Sequence, residues 1–318
     1  LPVDAVILAG PTASGKTELL DFLFGAGAAV WIPRLRDAWH TDVYAAEVIS
    51  ADSMQAYRGM DIGTAKPSND LLHRLPHHLI DIKDPDEQYT AGEFVARADA
   101  LCATLSAKGI LPIISGGTGF YLMNYVCGLP ASPPSSPAIR AQVAQDLQRR
   151  GAAALRTELA SADPAAAARI HEHDLYRLTR AIEILRASGE APSRFMPSKT
   201  IRPGRRFLIV GITRPREVLR ARIHARVEAM MRAGLAAEVE GLVSRGFGPG
   251  DPGMHAIGYR EFFELAGRPP DAIAQAIELH TSQYAKRQMT FFRALPGLRW
   301  IEPEPEHLFC ALESLVSP

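Results

Sequence analysis

Short, largely apolar runs recur along this chain at Ala5–Ala9, Glu47–Ala51, Ile110–Ile114 and Phe207–Ile212, and the more polar His77–Ile82 and Leu298–Ile301 read as short strands. Apolar runs of this length read as strands buried on both faces, as in a parallel sheet, rather than as strands with one wet face. Between them the apolar positions change to a helical period. Residues 92–108 carry Phe94, Ala98, Leu101 and Leu105 on one face, behind a capping box of Thr90 and Glu93 and before a stop at Gly109. Residues 214–233 carry the stripe Leu219, Ile223, Val227 and Met230 and stop at Gly234, and a longer helix is expected from Asp271 to about Leu295. Strands alternating with helices predict an α/β fold, a parallel sheet flanked by helices.

The pattern breaks twice. Residues 25–46, with Trp31, Pro33, Arg34, Arg36, Trp39 and His40, show no clear period and read as an inserted surface segment whose tryptophans either cover a partner or, the preferred reading, pin it to the body. After the linker at residues 133–137 come only helical patterns: Ile139, Val143 and Leu147, then 164–170 behind Asp163, then Leu175, Leu178, Ile182 and Leu185 ending at Gly189. The expected organisation is a first part of the core at 1–135, an all-helical insertion domain at 136–203, and a second part of the core at 204–318.

The first strand runs into Gly10-Pro11-Thr12-Ala13-Ser14-Gly15-Lys16-Thr17 and then a helix. This is the G-x-x-x-x-G-K-[ST] spacing of a P-loop, so the core is expected to be P-loop NTPase-like. In such a loop backbone N–H groups wrap a diphosphate, the lysine reaches its outer oxygens, and the hydroxyl of Thr17 faces a Mg²⁺ ion carried by the phosphates. The loop leaves open which diphosphate it holds. Asp52 stands at the carboxyl end of the second strand, on the sheet edge that lines the ligand crevice in open α/β folds. An acid there is a metal ligand, a general base or a cap on the next turn. Gly116-Gly117-Thr118-Gly119 follows the fourth strand to the same edge and brings a hydroxyl beside the phosphates. Arg222 and Arg226, four apart, border one helix stripe and offer an anion clamp. The adjacent His77 and His78 point to opposite faces of a strand and read as structural.

Composition adds a local feature to this picture. The 318 residues are 47% hydrophobic with zero formal net charge, so no global field favours nucleic acid. Yet residues 199–232 hold ten Lys and Arg against two Glu, and residues 286–299 hold four basic residues and no acidic one. In Lys286-Arg287-Gln288-Met289-Thr290-Phe291-Phe292-Arg293 basic and aromatic residues interleave, which suits either an RNA surface or a cationic helix end. Three scattered cysteines give neither a C-x-x-C pair nor a disulfide framework. No apolar run reaches membrane-spanning length and the first strand starts almost at once, so a cytoplasmic protein without membrane association, acting as a monomer, is expected.

Taken together, several stretches resemble the bacterial tRNA dimethylallyltransferases, also called isopentenylpyrophosphate transferases. They are Gly10–Thr17, Ile49–Ser53, Tyr57-Arg58-Gly59-Met60-Asp61-Ile62-Gly63-Thr64-Ala65-Lys66-Pro67, Gly116–Tyr121, Arg177-Leu178-Thr179-Arg180-Ala181, Gly258-Tyr259-Arg260 and Ala285–Gln288. The resemblance implies alkylation of N6 of the adenosine just 3′ of a tRNA anticodon by dimethylallyl diphosphate, with Mg²⁺. It implies Asp52 as general base or acceptor for the amine, and Thr118, Arg226 and Lys16 as diphosphate contacts. On the side of the tRNA anticodon stem-loop it implies Asp52, Ser53, Met54, Gln55, Thr118, Arg140, Arg177, Arg180, Arg260, Lys286, Arg287, Gln288 and Arg293. A P-loop small-molecule kinase would leave the basic segments unexplained. An adenylate isopentenyltransferase would leave the tRNA-facing positions unexplained, and a nucleotide-switched RNA binder would leave Asp52 and Thr118 without a task.

Overall fold

The computed structural model describes residues 1–133 and 136–315; the middle of the expected linker, residues 134 and 135, lies outside the described residues. Strand β1 (Ala5–Ala9) leads into helix α1 (Lys16–Leu20), a π-helical turn at Asp21–Gly25 and α2 (Ala28–Trp39). Next come β2 (Ala45–Ser50), α3 (Asn69–Arg74), β3 (His77–His78), α4 (Ala91–Ala107), β4 (Ile110–Gly116) and α5 (Gly119–Cys127). Helices α6 (Pro137–Ala162), α7 (Pro164–Arg169) and α8 (Leu175–Ser188) follow. The chain then forms β5 (Phe207–Ile212), α9 (Arg216–Arg232), α10 (Leu235–Ser244), α11 (Arg260–Glu264), α12 (Pro270–Phe292), β6 (Arg299–Ile301) and α13 (Pro305–Glu313).

The six strands form one sheet in the order β3-β2-β4-β1-β5-β6, and every pairing is parallel. All five residues of β1 are buried, which explains its unbroken apolar sequence. Ala9 aligns with Gly116 of β4 and with Gly211 of β5, so the loops after β1, β4 and β5 open at one level of the carboxyl edge.

The chain divides into two compact units, Leu1–Val126 with Lys199–Pro318, and Cys127–Ser198. The second is helical, with a core of Val143, Leu155, Leu159, Ala166, Leu178, Ala181 and Ile182. Its long α6 bends at Gly151, whose φ of 77° no β-carbon-bearing residue adopts cheaply. The sequence reading runs this helical segment to residue 203, but residues 199–206 pack with the α/β unit. Arg202 grips Asp99 with two bonds of 2.7 and 2.6 Å, and its guanidinium lies 4.4 Å over the Tyr125 ring. A charged pair and an aromatic face outweigh the polar look of that stretch.

Residues 25–46 also need correction. They are not an irregular surface segment but contain α2, with Trp31, Ile32, Leu35 and Trp39 buried in the core that includes Leu308, Phe309 and Leu312 of α13. The Trp39 indole N–H donates to the Leu312 carbonyl at 2.8 Å. The helical spacing 31, 32, 35, 39 is present in the sequence, hidden by Pro33 and by the charges interleaved with it. The expectation that the tryptophans anchor this stretch agrees with the packing. Among the described residues, no helix is long and apolar enough to cross a membrane.

Candidate active site

The glycine loop turns through left-handed Ala13 (φ 60°) and Gly15 (φ 99°). Two arginines hold its outer face: Arg222 Nε donates to the Ala13 carbonyl and Arg214 Nε to the Ser14 carbonyl, each at 2.7 Å. Because the Ser14–Gly15 peptide is planar and trans, the Gly15 N–H then points opposite to the Ser14 carbonyl that Arg214 holds. Arg222 also pairs with Glu18. Lys16 lies at the cavity floor and donates from Nζ to the carbonyls of Gly10 (2.8 Å) and Pro11 (3.0 Å). Crowding by protein lowers its pKa to about 8; Asp52 opposes that shift and Arg226 adds to it. The Ser14 hydroxyl is buried without a partner.

Asp52 sits just beyond β2. Its Oδ1 accepts the Met54 N–H at 3.0 Å, which closes a turn and, among the described residues, leaves Oδ2 for other partners. The neighbouring strand end fixes this turn. Thr118 donates its N–H to the Ala51 carbonyl (3.0 Å), accepts the Ser53 N–H on Oγ1 (2.9 Å) and donates its hydroxyl to Ser53 Oγ (3.2 Å). Thr118, expected as a diphosphate contact, is thus engaged with the Asp52 turn. Gln55 is also turned inward, its amide donating to the carbonyls of Thr64 (3.4 Å) and Ala65 (3.3 Å).

Gln288, expected on the tRNA side, is 3% exposed, accepting the Thr12 N–H at 2.9 Å and donating to the Gly117 carbonyl at 2.7 Å. It staples the glycine loop to the β4 loop. The signal was available: buried α12 residues Ile273, Ile277, Ala285 and Phe292 share its stripe, and a lone amide on an apolar stripe marks an internal bond. The same periodicity points to Tyr284, one turn earlier, which sequence reading missed. Its hydroxyl lies 3.4 Å from the Gly117 carbonyl, and burial pushes the phenol up to about 12.

Two cavities meet here. One, of about 540 Å³, is lined by residues 12–18, Asp52, Gln55, Lys66, Arg226, Tyr284 and Gln288 among others. The other, of about 370 Å³, is lined by Asp52, Ser53, Met54, Arg226, Arg260, Tyr284 and Arg287, with an apolar wall of Val227, Met230, Ile257 and Ile277. Thr12, Asp52, Arg226 and Tyr284 border both. Lys286 and Arg293 line a separate groove with Arg214, Arg216 and Arg220, so the two basic sequence segments converge on one surface. Arg140, Arg177 and Arg180 belong to the helical unit. There Arg140 is exposed, Arg177 pairs with Asp174 (2.8 Å), and Arg180 pairs with Glu183 (3.3 Å) and the Pro133 carbonyl (3.1 Å). Among the described residues no group of three His, Cys, Asp or Glu is placed to hold a metal ion.

The chain matches the family model of IPP transferase over residues 55–295. It is similar to a tRNA dimethylallyltransferase of Geobacter sulfurreducens, 42% identical over 93% of this chain and 91% of the relative. A relative of the same name from Symbiobacterium thermophilum is 41% identical over 98% and 93% of the two chains. Among solved structures, the tRNA isopentenylpyrophosphate transferase of Bacillus halodurans superposes with a TM-score of 0.65 at 31% identity, covering 98% of this chain and 95% of that one. A eukaryotic dimethylallyltransferase acting on tRNA shares the fold at 22% identity with a TM-score of 0.73. With most of its length inside the family model and relatives above 40% identity along nearly the whole chain, this protein belongs to the IPP transferase family.

Proposed function

We propose that this chain transfers the dimethylallyl group of dimethylallyl diphosphate to N6 of the adenosine immediately 3′ of a tRNA anticodon, releasing diphosphate. The observation that carries the reading is the meeting of the two cavities at Asp52 and Arg226. The cavity around Lys16 suits the diphosphate, in a P-loop NTPase-like core, and the cavity with apolar and arginine walls suits a nucleobase drawn out of its stack.

An exocyclic amine is a weak nucleophile, so the rate must come from easing departure of the diphosphate. Loop amides, Lys16 and Arg226 stabilise the charge that grows on the bridging oxygen as the allylic C–O bond breaks. The N6–C bond forms, the nitrogen becomes positive, and its proton passes to Oδ2 of Asp52. Thr118 and Gln288 act at one remove by holding the Asp52 turn and the Thr12 amide in place. Magnesium fits the donor set only as an ion shared with the substrate: Thr17 would hold it by its hydroxyl, with phosphate oxygens and water completing the shell, and it would neutralise charge on the leaving group. The Arg- and Lys-lined surfaces of both units would grip the RNA backbone.

Incubation with Mg²⁺, dimethylallyl diphosphate and unmodified tRNA should yield prenylated adenosine in the digested nucleosides, read by mass spectrometry. Phosphoryl transfer from ATP with no such nucleoside would refute the reading. A pH dependence follows from Lys16. Below about pH 8 the ammonium is charged in the free protein, and above it binding must take up a proton. Affinity for inorganic diphosphate should therefore fall as pH rises past 8, by up to about tenfold per unit. Calorimetric titrations of wild type and Lys16→Met check this, because the variant should lack the protein's share of the slope.

A further inference from the structure

In the stretch from Asp61 to Gly63, three successive N–H groups point at one side chain. Glu238, in the first turn of α10, accepts Asp61 N–H (2.9 Å) and Ile62 N–H (2.8 Å) on Oε2. On Oε1 it accepts Gly63 N–H (3.2 Å) and the Tyr259 hydroxyl (2.6 Å). Successive amides converging in this way make an anion-binding concavity. Here the chain's own carboxylate fills it. The Tyr259 ring is fully buried and lies so close to Gly63 that a β-carbon there would come within 2.4 Å of it. Burial and the neighbouring carboxylate raise the phenol's pKa, so it stays a donor.

What this cluster holds is the wall of the reaction site. The next residue, Thr64, turns its carbonyl to Arg226 Nη2 and to Gln55 Nε2, each at 3.4 Å. Two residues on, Lys66 is pinned to the Tyr57 carbonyl and to Asp61, each at 2.6 Å, and borders the diphosphate cavity. On the other side of the carboxylate, Tyr259 adjoins Arg260, which borders the second cavity. We propose that Glu238 is a positioning residue of the active site, tying the Asp61–Thr64 loop to the Tyr259 segment so that Arg226 faces the diphosphate and the pinned Lys66 holds the cavity edge in place. This rests on the function proposed above, but the diphosphate titration that tests it does not.

Two variants separate positioning from general stability. Tyr259→Phe removes one of the four donors and keeps the ring. Glu238→Gln keeps the volume but turns one acceptor oxygen into a donor aimed at other donors. For Tyr259→Phe we expect the KM for dimethylallyl diphosphate to rise about three- to tenfold while tRNA affinity stays within about twofold. For Glu238→Gln the kcat/KM should fall by about 10- to 100-fold, the range seen when residues that orient a binding site are lost. Affinity for inorganic diphosphate, measured calorimetrically on protein shown to be folded by circular dichroism, should weaken in parallel. If both quantities are unchanged in Tyr259→Phe and only the melting temperature falls, Glu238 is merely structural and the proposal fails. If wild type binds diphosphate but makes no prenylated adenosine, the function reading fails, while the diphosphate titrations still decide the role of Glu238.

Discussion

Asp52→Ala is expected to lower kcat by about 10²- to 10⁴-fold, the usual range for loss of a general base, while tRNA binding stays within a fewfold of wild type. The reason is placement. One oxygen of Asp52 closes the turn to Met54, and the residue borders both cavities together with Arg226 and Thr12 of the loop that bears Lys16. On the proposed function, the carboxylate gains a positively charged partner as the amine reacts in the transition state. Asp52→Asn keeps an acceptor for the amine but no base for its proton, and should fall between wild type and Ala. There is a coupled effect on pH. Asp52 raises the pKa of Lys16, so its removal should shift the pH at which diphosphate affinity declines to lower values. Single-turnover kinetics and filter binding distinguish these outcomes. A variant that loses tRNA affinity and keeps its single-turnover rate would show that Asp52 binds rather than reacts.

Gly116→Ala is expected to act on stability, by about 3 kcal/mol. Gly116 ends β4, and a β-carbon there would lie 2.2 Å from both the carbonyl carbon and the oxygen of Ala51. Backbone cannot yield as a flexible side chain can. Relief requires parting β2 from β4, which are joined there by the bond from Ala51 N–H to the Ser115 carbonyl (2.8 Å) and by the Thr118 contacts that set Asp52. The melting temperature should drop by at least about 5 °C, and activity should fall further than the unfolded fraction explains. Gly248→Ala serves as control, because nothing lies within 4 Å of a β-carbon at that site. Equal melting temperatures for Gly116→Ala and wild type would refute this account.

Both effects depend on close approaches between loops far apart in sequence, and here reading from sequence was least complete. Local signals carried in part. Thr90 caps α4 with a 3.2 Å bond from Glu93 N–H, although the Glu93 carboxylate turns to Lys83 and Arg97. The longer buried runs appear as parallel strands, whereas the expected strand at His77–Ile82 stops at His78 before left-handed Leu79. Signals overlaid by other residues carried poorly. Pro33 and three charged side chains masked α2, although its buried face has helical spacing. The partners of the inward bonds made by Gln288 and by Glu238, which holds the Asp61–Gly63 amides, have no local signature. In each case the partner is a backbone amide or carbonyl from a distant segment, and no sequence window shows it.

The α/β class, the glycine loop at the end of β1, an acid and a threonine on the same sheet edge, and the family are all legible in the residues alone. These follow from period, turn chemistry and motif order, all of which act over a few residues. That Asp52 borders two cavities, that Thr118 and Gln288 hold loops together, and that the two basic segments share one groove emerge from the packed molecule. So does the end of the helical unit before Arg202. The physical reason is the same throughout: a buried polar group must find a partner, and which partner it finds depends on how distant strands and helices pack.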